Sequence, residues 1–353
     1  VQDFLQEFLP LWDGVQHIDS ILGLLSYIPM QPFPGAYATF LQPAERGLLS
    51  ANPSSQTYIH LINLYTSLFR RWAVQAPPGS RPPRPGQVLT HADQRAFSDL
   101  VAHVAQISTS LLVSLPAPDI PLTSTILTFY ELLSTSSLPD RIPIILPPTH
   151  LLQLFAVASS ITELSRVAGL IAGFKLALGR HPKPLADYYP EAPIEDFNRL
   201  VKDFARLVWT ARALVVSHDK DGTASGVGMS CDPALHAILH TYLDSLDPSY
   251  AIQISYSVSY HPALASLGAA AWRELEDEEI ARNRYDGGSI ERLDGPVSKR
   301  ALEKLEIEGG VGVDWERCRV EVVKWLERRG CGGLREFVWA VVRGVGERYD
   351  EEG

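Results

Sequence analysis

The chain has 353 residues, 46% of them apolar, and a net charge of −10, so it is long enough for one large or two smaller buried cores. A surface of that sign repels a phosphate backbone, which argues against DNA or RNA as the principal partner. Three cysteines, Cys231, Cys318 and Cys331, form no C-x-x-C pair and are odd in number. They point to reduced thiols rather than a disulfide framework.

The chain opens at Val1 on an apolar run, Phe4, Leu5, Phe8, Leu9, Leu11 and Trp12, the pattern expected of a helix cut from a longer protein. No basic stretch leading into an apolar core marks a secretory signal. Tyr58, Leu61, Ile62, Tyr65, Leu68, Phe69 and Trp72 then recur at helical spacing, with Ser54 or Ser55 placed to cap. Residues 76–88 read as an extended Pro-rich loop. A second stripe runs from Phe97 through Leu100, Val101, Val104, Ile107, Leu111 and Leu112 to Leu115, opened by Thr90 and Asp93. Ser160 and Glu163 have capping-box spacing ahead of Ile161, Leu164, Val167, Ile171 and Phe174. That helix is the most apolar, but with Arg166 and Lys175 it is too short and too charged to span a bilayer, so no membrane span is expected. The most regular stripe lies in a helix expected over Ile194–Val216.

Residues 180–193 and 217–230 read as loops. Further helices are expected at Asp232–Ser245, Pro262–Tyr285, Asp314–Arg329 and Leu334–Tyr349, with a loop at 286–296. Ile252, Ile254, Tyr256, Val258 and Tyr260 alternate with polar residues as a strand would. An isolated strand has no pairing partner, so a short, irregular helix is the better expectation there. Helix pairs with no sheet between them imply an all-α bundle or solenoid, with a loose period of about forty residues matching HEAT-like repeats. Trp209 and Trp339 lie off their main stripes, where a second neighbouring helix would cover them. Charged residues rise from roughly one in nine before residue 150 to roughly two in five after residue 272. The expected organisation is therefore a helical-repeat body over 1–272 and a charged helical segment over 273–353, packed on that array or extending it.

Chemistry-bearing motifs are sparse. No phosphate loop, dinucleotide fingerprint or nucleophile elbow occurs. His236 and His240 have the i, i+4 spacing of a zinc protease, but position 237 is alanine where the general base would stand, and no third ligand is apparent. Around Asp219, Lys220, Asp221 and Gly222 a calcium loop would place Ser217 and Gly228 at its first and last ligand positions, so a polar turn is the better reading. Glu274, Glu276, Asp277, Glu278 and Glu279 form an acidic run expected to be a solvated helix face, with docking to a basic partner as the alternative. No catalytic residue, cofactor or metal is expected. Trp339 is the candidate partner contact, because aromatic residues are enriched in binding hot spots; internal packing is the competing role.

Four blocks resemble the centromere protein I family: FLPLWDGVQHIDSILGLLSYIP at 8–29, LPPTHLLQLFAVASSITELSRVAGLIAGFKLAL at 146–178, DFNRLVKDFARLVWTARAL at 196–214, and YSVSYHPALASLG at 256–268. They follow the family's order. The resemblance implies the C-terminal half of a fungal inner-kinetochore subunit, a nuclear, centromeric HEAT-repeat scaffold without catalytic residues. It implies assembly with CENP-H-like and CENP-K-like coiled-coil subunits and with other members of the constitutive centromere-associated network. The Pro-rich loop and the charged tail depart from the family pattern. A helical adaptor of another intracellular complex, in transport or signalling, is the alternative, and a hydrolase built on His236 and His240 is a third.

Overall fold

A computed structural model describes residues 1–51, 53–75, 91–114, 119–134, 144–156, 160–180, 191–205, 207–208, 216–218, 224–227, 262–283, 290–294 and 297–341. The described chain is mostly helical and falls into two compact units. The first comprises Val1–Leu151 with Ala177–Tyr188; the second comprises Leu152–Leu176 with Tyr189–Gly353.

The first unit begins with α1 (Gln2–Phe8), a 3-10 turn (Leu9–Leu11) and α2 (Ile18–Leu25). Between the last two, the Asp13 carboxylate accepts the amides of Val15 and Gln16, both at 2.9 Å, and Trp12 Nε1 donates to the Gln16 carbonyl at 2.8 Å. Those backbone donors hold the Asp13 carboxyl below its ordinary value. Gly14 has φ +75°, and a Cβ there would drive into the carbonyl of Gly47; the loop lies that close only because position 14 has no side chain.

A continuous rod follows, made of α3 (Phe33–Ala36), a π-helical segment (Tyr37–Leu41) and α4 (Gln42–Ala51). Then come α5 (Ser55–Gln75), α6 (His91–Ser114) and α7 (Ile120–Ser134). Ser54 caps α5, its Oγ accepting the Thr57 amide at 3.3 Å. The α5 stripe packs on α2, α6 and α7, burying Leu61, Ile62, Tyr65, Leu68, Phe69 and Trp72. Phe69 meets Phe97 and Phe129 edge-on at centroid separations of 5.2 and 6.0 Å, the favoured arrangement of ring quadrupoles. Trp72 Nε1 donates to the Ile28 carbonyl at 2.8 Å, which satisfies a donor that full burial would otherwise strand.

The expectation that no helix is long and apolar enough to span a membrane is corrected here: by length and composition alone, Ala92–Ser114 of α6 is. The apolar residues Phe97, Leu100, Val101 and Val104 of α6 are buried within its own unit.

The chain continues through α8 (Thr149–Ala156), α9 (Ile161–Arg180) and α10 (Glu191–Ala205). Ser160 Oγ lies 3.5 Å from the Glu163 amide, the direction expected of a cap. In the second unit α9 and α10 meet through Phe174 and Phe197, at 6.3 Å. The expectations of a helix reaching Val216 and of a strand-free loop over 217–230 are corrected here. Residues Val216–His218 (β1) and Ala224–Val227 (β2) pair antiparallel, Val216 opposite Val227 and Ser217 opposite Gly226, with an irregular register before His218. Strands of three and four residues are too short to leave a period in a Gly/Ser-rich stretch.

The second unit is completed by α11 (Pro262–Asn283), α12 (Lys299–Ile307), α13 (Trp315–Arg328) and α14 (Gly332–Val341). Asp314 caps α13 through the Arg317 amide at 2.9 Å, and Ser298 caps α12 through the Ala301 amide at 3.1 Å. α13 packs on α11 and α14, and α14 on α10, where Phe204 and Phe337 meet edge-on at 4.8 Å. α9 and α14 cross through glycine: a Cβ on Gly333 would run into the Ser165 carbonyl, and one on Gly169 would sit 3.2 Å from the Gly333 Cα.

Candidate functional site

Two clusters of polar side chains stand out, one in each unit. In the first unit, three donors converge on one carboxylate. Tyr65 Oη donates to Glu45 Oε1, His103 Nε2 lies 2.8 Å from the same oxygen, and Tyr37 Oη donates to Glu45 Oε2 at 3.0 Å. An ionised carboxylate only accepts, so Nε2 of His103 carries the proton in this arrangement. Tyr65 Oη is also 3.1 Å from that nitrogen.

Aromatic rings wall the imidazole. Tyr37, Tyr65 and Phe33 lie 4.7, 5.3 and 5.5 Å from it between centroids. Burial, and then the neighbouring Glu45 charge, push the Tyr65 phenol well above its ordinary value, and Tyr37 moves the same way for the same reasons. Both phenols therefore remain donors throughout the neutral range. The four residues come from the π segment, α4, α5 and α6, and Glu45 and Tyr65 are buried. The cluster ties four elements to one anion, with the acceptor oxygens of Glu45 already engaged.

The second cluster corrects the expectation that the acidic run of α11 is a solvated face. Only part of it is. Asp277 and Glu278 are exposed, but Glu276 is fully buried and Glu279 nearly so. Glu276 Oε1 accepts the Leu293 amide at 3.0 Å, while its Oε2 lies 3.5 Å from Arg273 and 3.6 Å from Arg292. Arg292 also reaches Asp277 at 2.6 Å. Glu279 accepts from Arg282 at 2.8 Å and from Arg317 at 2.5 Å. Glu274 accepts from Trp325 Nε1 at 2.6 Å and from Arg329 at 2.7 Å, and Arg329 stacks 3.7 Å above the Trp325 ring. The Trp325 hydrogen bond, then Arg329, holds the Glu274 carboxyl below its ordinary value. Buried carboxylates persist only when paired and hydrogen-bonded, and these fasten α11 to residues 290–294 and to α13.

Trp339, the residue singled out as a partner contact, lies on α14 and is 36% exposed, with the Arg335 guanidinium 5.1 Å from its ring centroid. Its helix buries Leu334, Phe337 and Val338 on the opposite side. Trp209, His236, His240, Cys231, the turn at 219–222 and the alternating stretch 252–260 lie outside the described residues. Among the described residues no three of histidine, cysteine, aspartate and glutamate gather to hold a metal ion. Cys318 and Cys331 are buried and free, and burial pushes the Cys318 thiol up to about 12. Arg319 beside it is drawn down to about 10 by burial, with Glu316 at 3.9 Å.

No family model matches the chain, and no curated protein matches it.

Proposed function

We propose that this chain is a non-enzymatic scaffold of the inner kinetochore, related to the centromere protein I family, that presents helical surfaces to other subunits in the nucleus at the centromere. In this reading the helices stack as a HEAT-like array, and the partners are coiled-coil subunits of the CENP-H and CENP-K type. The observation that carries it is where the ordered blocks fall. The first spans the end of α1, the 3-10 turn and α2; the second covers α8 and α9; the third begins on α10, whose Phe197, Leu200, Val201 and Phe204 are buried. Shared hydrophobic order on packed helices is what common descent in a helical array produces. The carboxylates best placed for chemistry, Glu45, Glu276 and Glu279, are engaged in joining helices, which suits a scaffold.

Co-expression with CENP-H-type and CENP-K-type coiled-coil subunits, followed by size-exclusion chromatography, tests the proposal. A co-eluting complex is expected. Separate elution, together with recovery of transport or signalling proteins from cell extract, overturns it in favour of another adaptor. Trp339→Ala is expected to weaken that complex while costing less than about 1 kcal/mol of stability, since the ring is partly exposed. A fall in melting temperature with the complex intact would assign Trp339 to packing.

A further inference from the structure

The corner formed by the end of α2 and the end of α5 combines an exposed aromatic ring, two arginines and exposed aliphatic residues. Tyr27 is 60% exposed, and the Arg71 guanidinium lies 3.2 Å from its ring centroid. Leu24, one turn before Tyr27, and Val74, one turn after both arginines, are 38% and 68% exposed. Arg70 is exposed beside them, and neither Arg70 nor Arg71 makes an ion pair among the described residues.

The corner is braced from beneath. Trp72 is fully buried and donates to the Ile28 carbonyl, so the two helix ends are pinned together directly below Tyr27 and Arg71. The one carboxylate of α2, Asp19, sits at the other end of that helix, 3.8 Å from His60. Among the described residues, these two cations therefore have no counter-charge within ion-pair distance.

We propose that this corner docks an acidic amphipathic helix of a partner protein. Aliphatic residues on that helix cover Leu24, Tyr27 and Val74, and its carboxylates pair with Arg70 and Arg71. The proposal rests on the scaffold reading above and gives the chemistry of one of its contacts. Three features favour this occupant. Tyrosine and arginine are, with tryptophan, the residues enriched in binding hot spots. The fork of Arg71 is already oriented by the ring, so little conformational freedom remains to be lost when a carboxylate meets it. Two cations are too few for the run of phosphate contacts on which nucleic-acid affinity rests, which disfavours nucleic acid as the source of the anion.

The test uses the full chain and two labelled synthetic helical peptides, one with a leucine stripe flanked by glutamates and one with lysines in place of the glutamates, read by fluorescence anisotropy. The wild-type chain is expected to bind the glutamate peptide. The double variant Arg70→Glu with Arg71→Glu should weaken that binding by at least about tenfold and acquire binding to the lysine peptide. Tyr27→Ala and Val74→Glu, each checked by circular dichroism for an unchanged helical signal, should weaken it comparably. Failure of the wild type to bind, or equal binding of either peptide by wild type and double variant, overturns the proposal.

Duplex DNA or phosphatidylserine vesicles retained by the wild type and released by the double variant would overturn the protein assignment. A dimer lost in Tyr27→Ala would assign the corner to a second copy of the chain. Co-elution with the coiled-coil subunits is read independently, so loss of this contact and loss of the kinetochore reading are told apart.

Discussion

The two units solve the burial of carboxylates in opposite ways. Glu45 receives a histidine and two phenols, with aromatic rings around the imidazole and, among the described residues, no arginine or lysine bonded to it. Glu276 and Glu279 receive guanidinium groups from their own helix, from a loop and from α13. The first arrangement rests on hydrogen bonds from largely neutral donors at fixed geometry. The second rests on charge, half-exposed at the arginine end, where salt screens it. The contrast follows composition: the early chain has few basic residues to offer, and the late chain has many.

The largest effects should come from the glycine contacts in each unit, which set how far backbone rather than charge determines the packing. Gly333→Ala pushes a methyl into the Ser165 carbonyl, and Gly14→Ala adds a left-handed φ to a similar collision. Each should cost about 3 kcal/mol or more, seen as a loss of hydrogen-exchange protection in its own unit. Little loss from Gly333→Ala would mean that α9 and α14 can separate freely.

Removing the anions sharpens the comparison itself. Glu45→Ala strands Tyr37, Tyr65 and His103 together and should cost about 3 kcal/mol, unchanged between low and high salt. Glu276→Ala strands the Leu293 amide and should cost about 2–3 kcal/mol at low salt, falling as salt screens the half-exposed arginines. Equal salt dependence in urea titrations of the two variants would erase the distinction drawn above.

The smallest effect concerns acid. The folded Glu274 carboxyl lies below its unfolded value, so its contribution is complete above the unfolded value and is lost as pH falls through the folded one. Trp325→Phe removes the largest cause of that depression. The variant should be less stable at neutral pH and should lose less further stability on acidification than the wild type. A parallel acid profile would show that Arg329 suffices.

How much of this was legible in the sequence depended on range. Helices α5, α6, α9, α11 and α13 could be read because their signals are local: Ser54, one of the two serines expected to cap α5, does so, and Leu61 to Trp72 of the α5 stripe and Phe97, Leu100, Val101, Val104 and Leu111 of the α6 stripe are buried as spaced. α12 escaped because Leu302 and Leu305 are its only buried residues amid lysine, arginine and glutamate. The Glu45 cluster left no local trace, since its members lie at positions 37, 45, 65 and 103. The acidic run was misread for the same reason: Arg317 and Arg329 reach it from 38 and 55 residues away. A buried carboxylate and a solvated one look alike until the partner's place in space is known. Trp339 was legible as an aromatic off the main stripe of its helix, but sequence alone could not rank it against the Tyr27 corner, which exists only where two helix ends meet.

The π segment over Tyr37–Leu41 carries one more consequence. On a regular helix of 3.6 residues per turn, positions eight apart point about 80° away from each other, yet Tyr37 reaches the Glu45 carboxylate. The wider winding absorbs one residue, so eight positions span the rotation that seven usually do. In this stretch the rod behaves as though it held a tolerated insertion. Excising the exposed Ala38 would restore ordinary winding with the tyrosine and the glutamate still in phase. Adding a residue there would rotate the two apart and undo the junction of four helical segments.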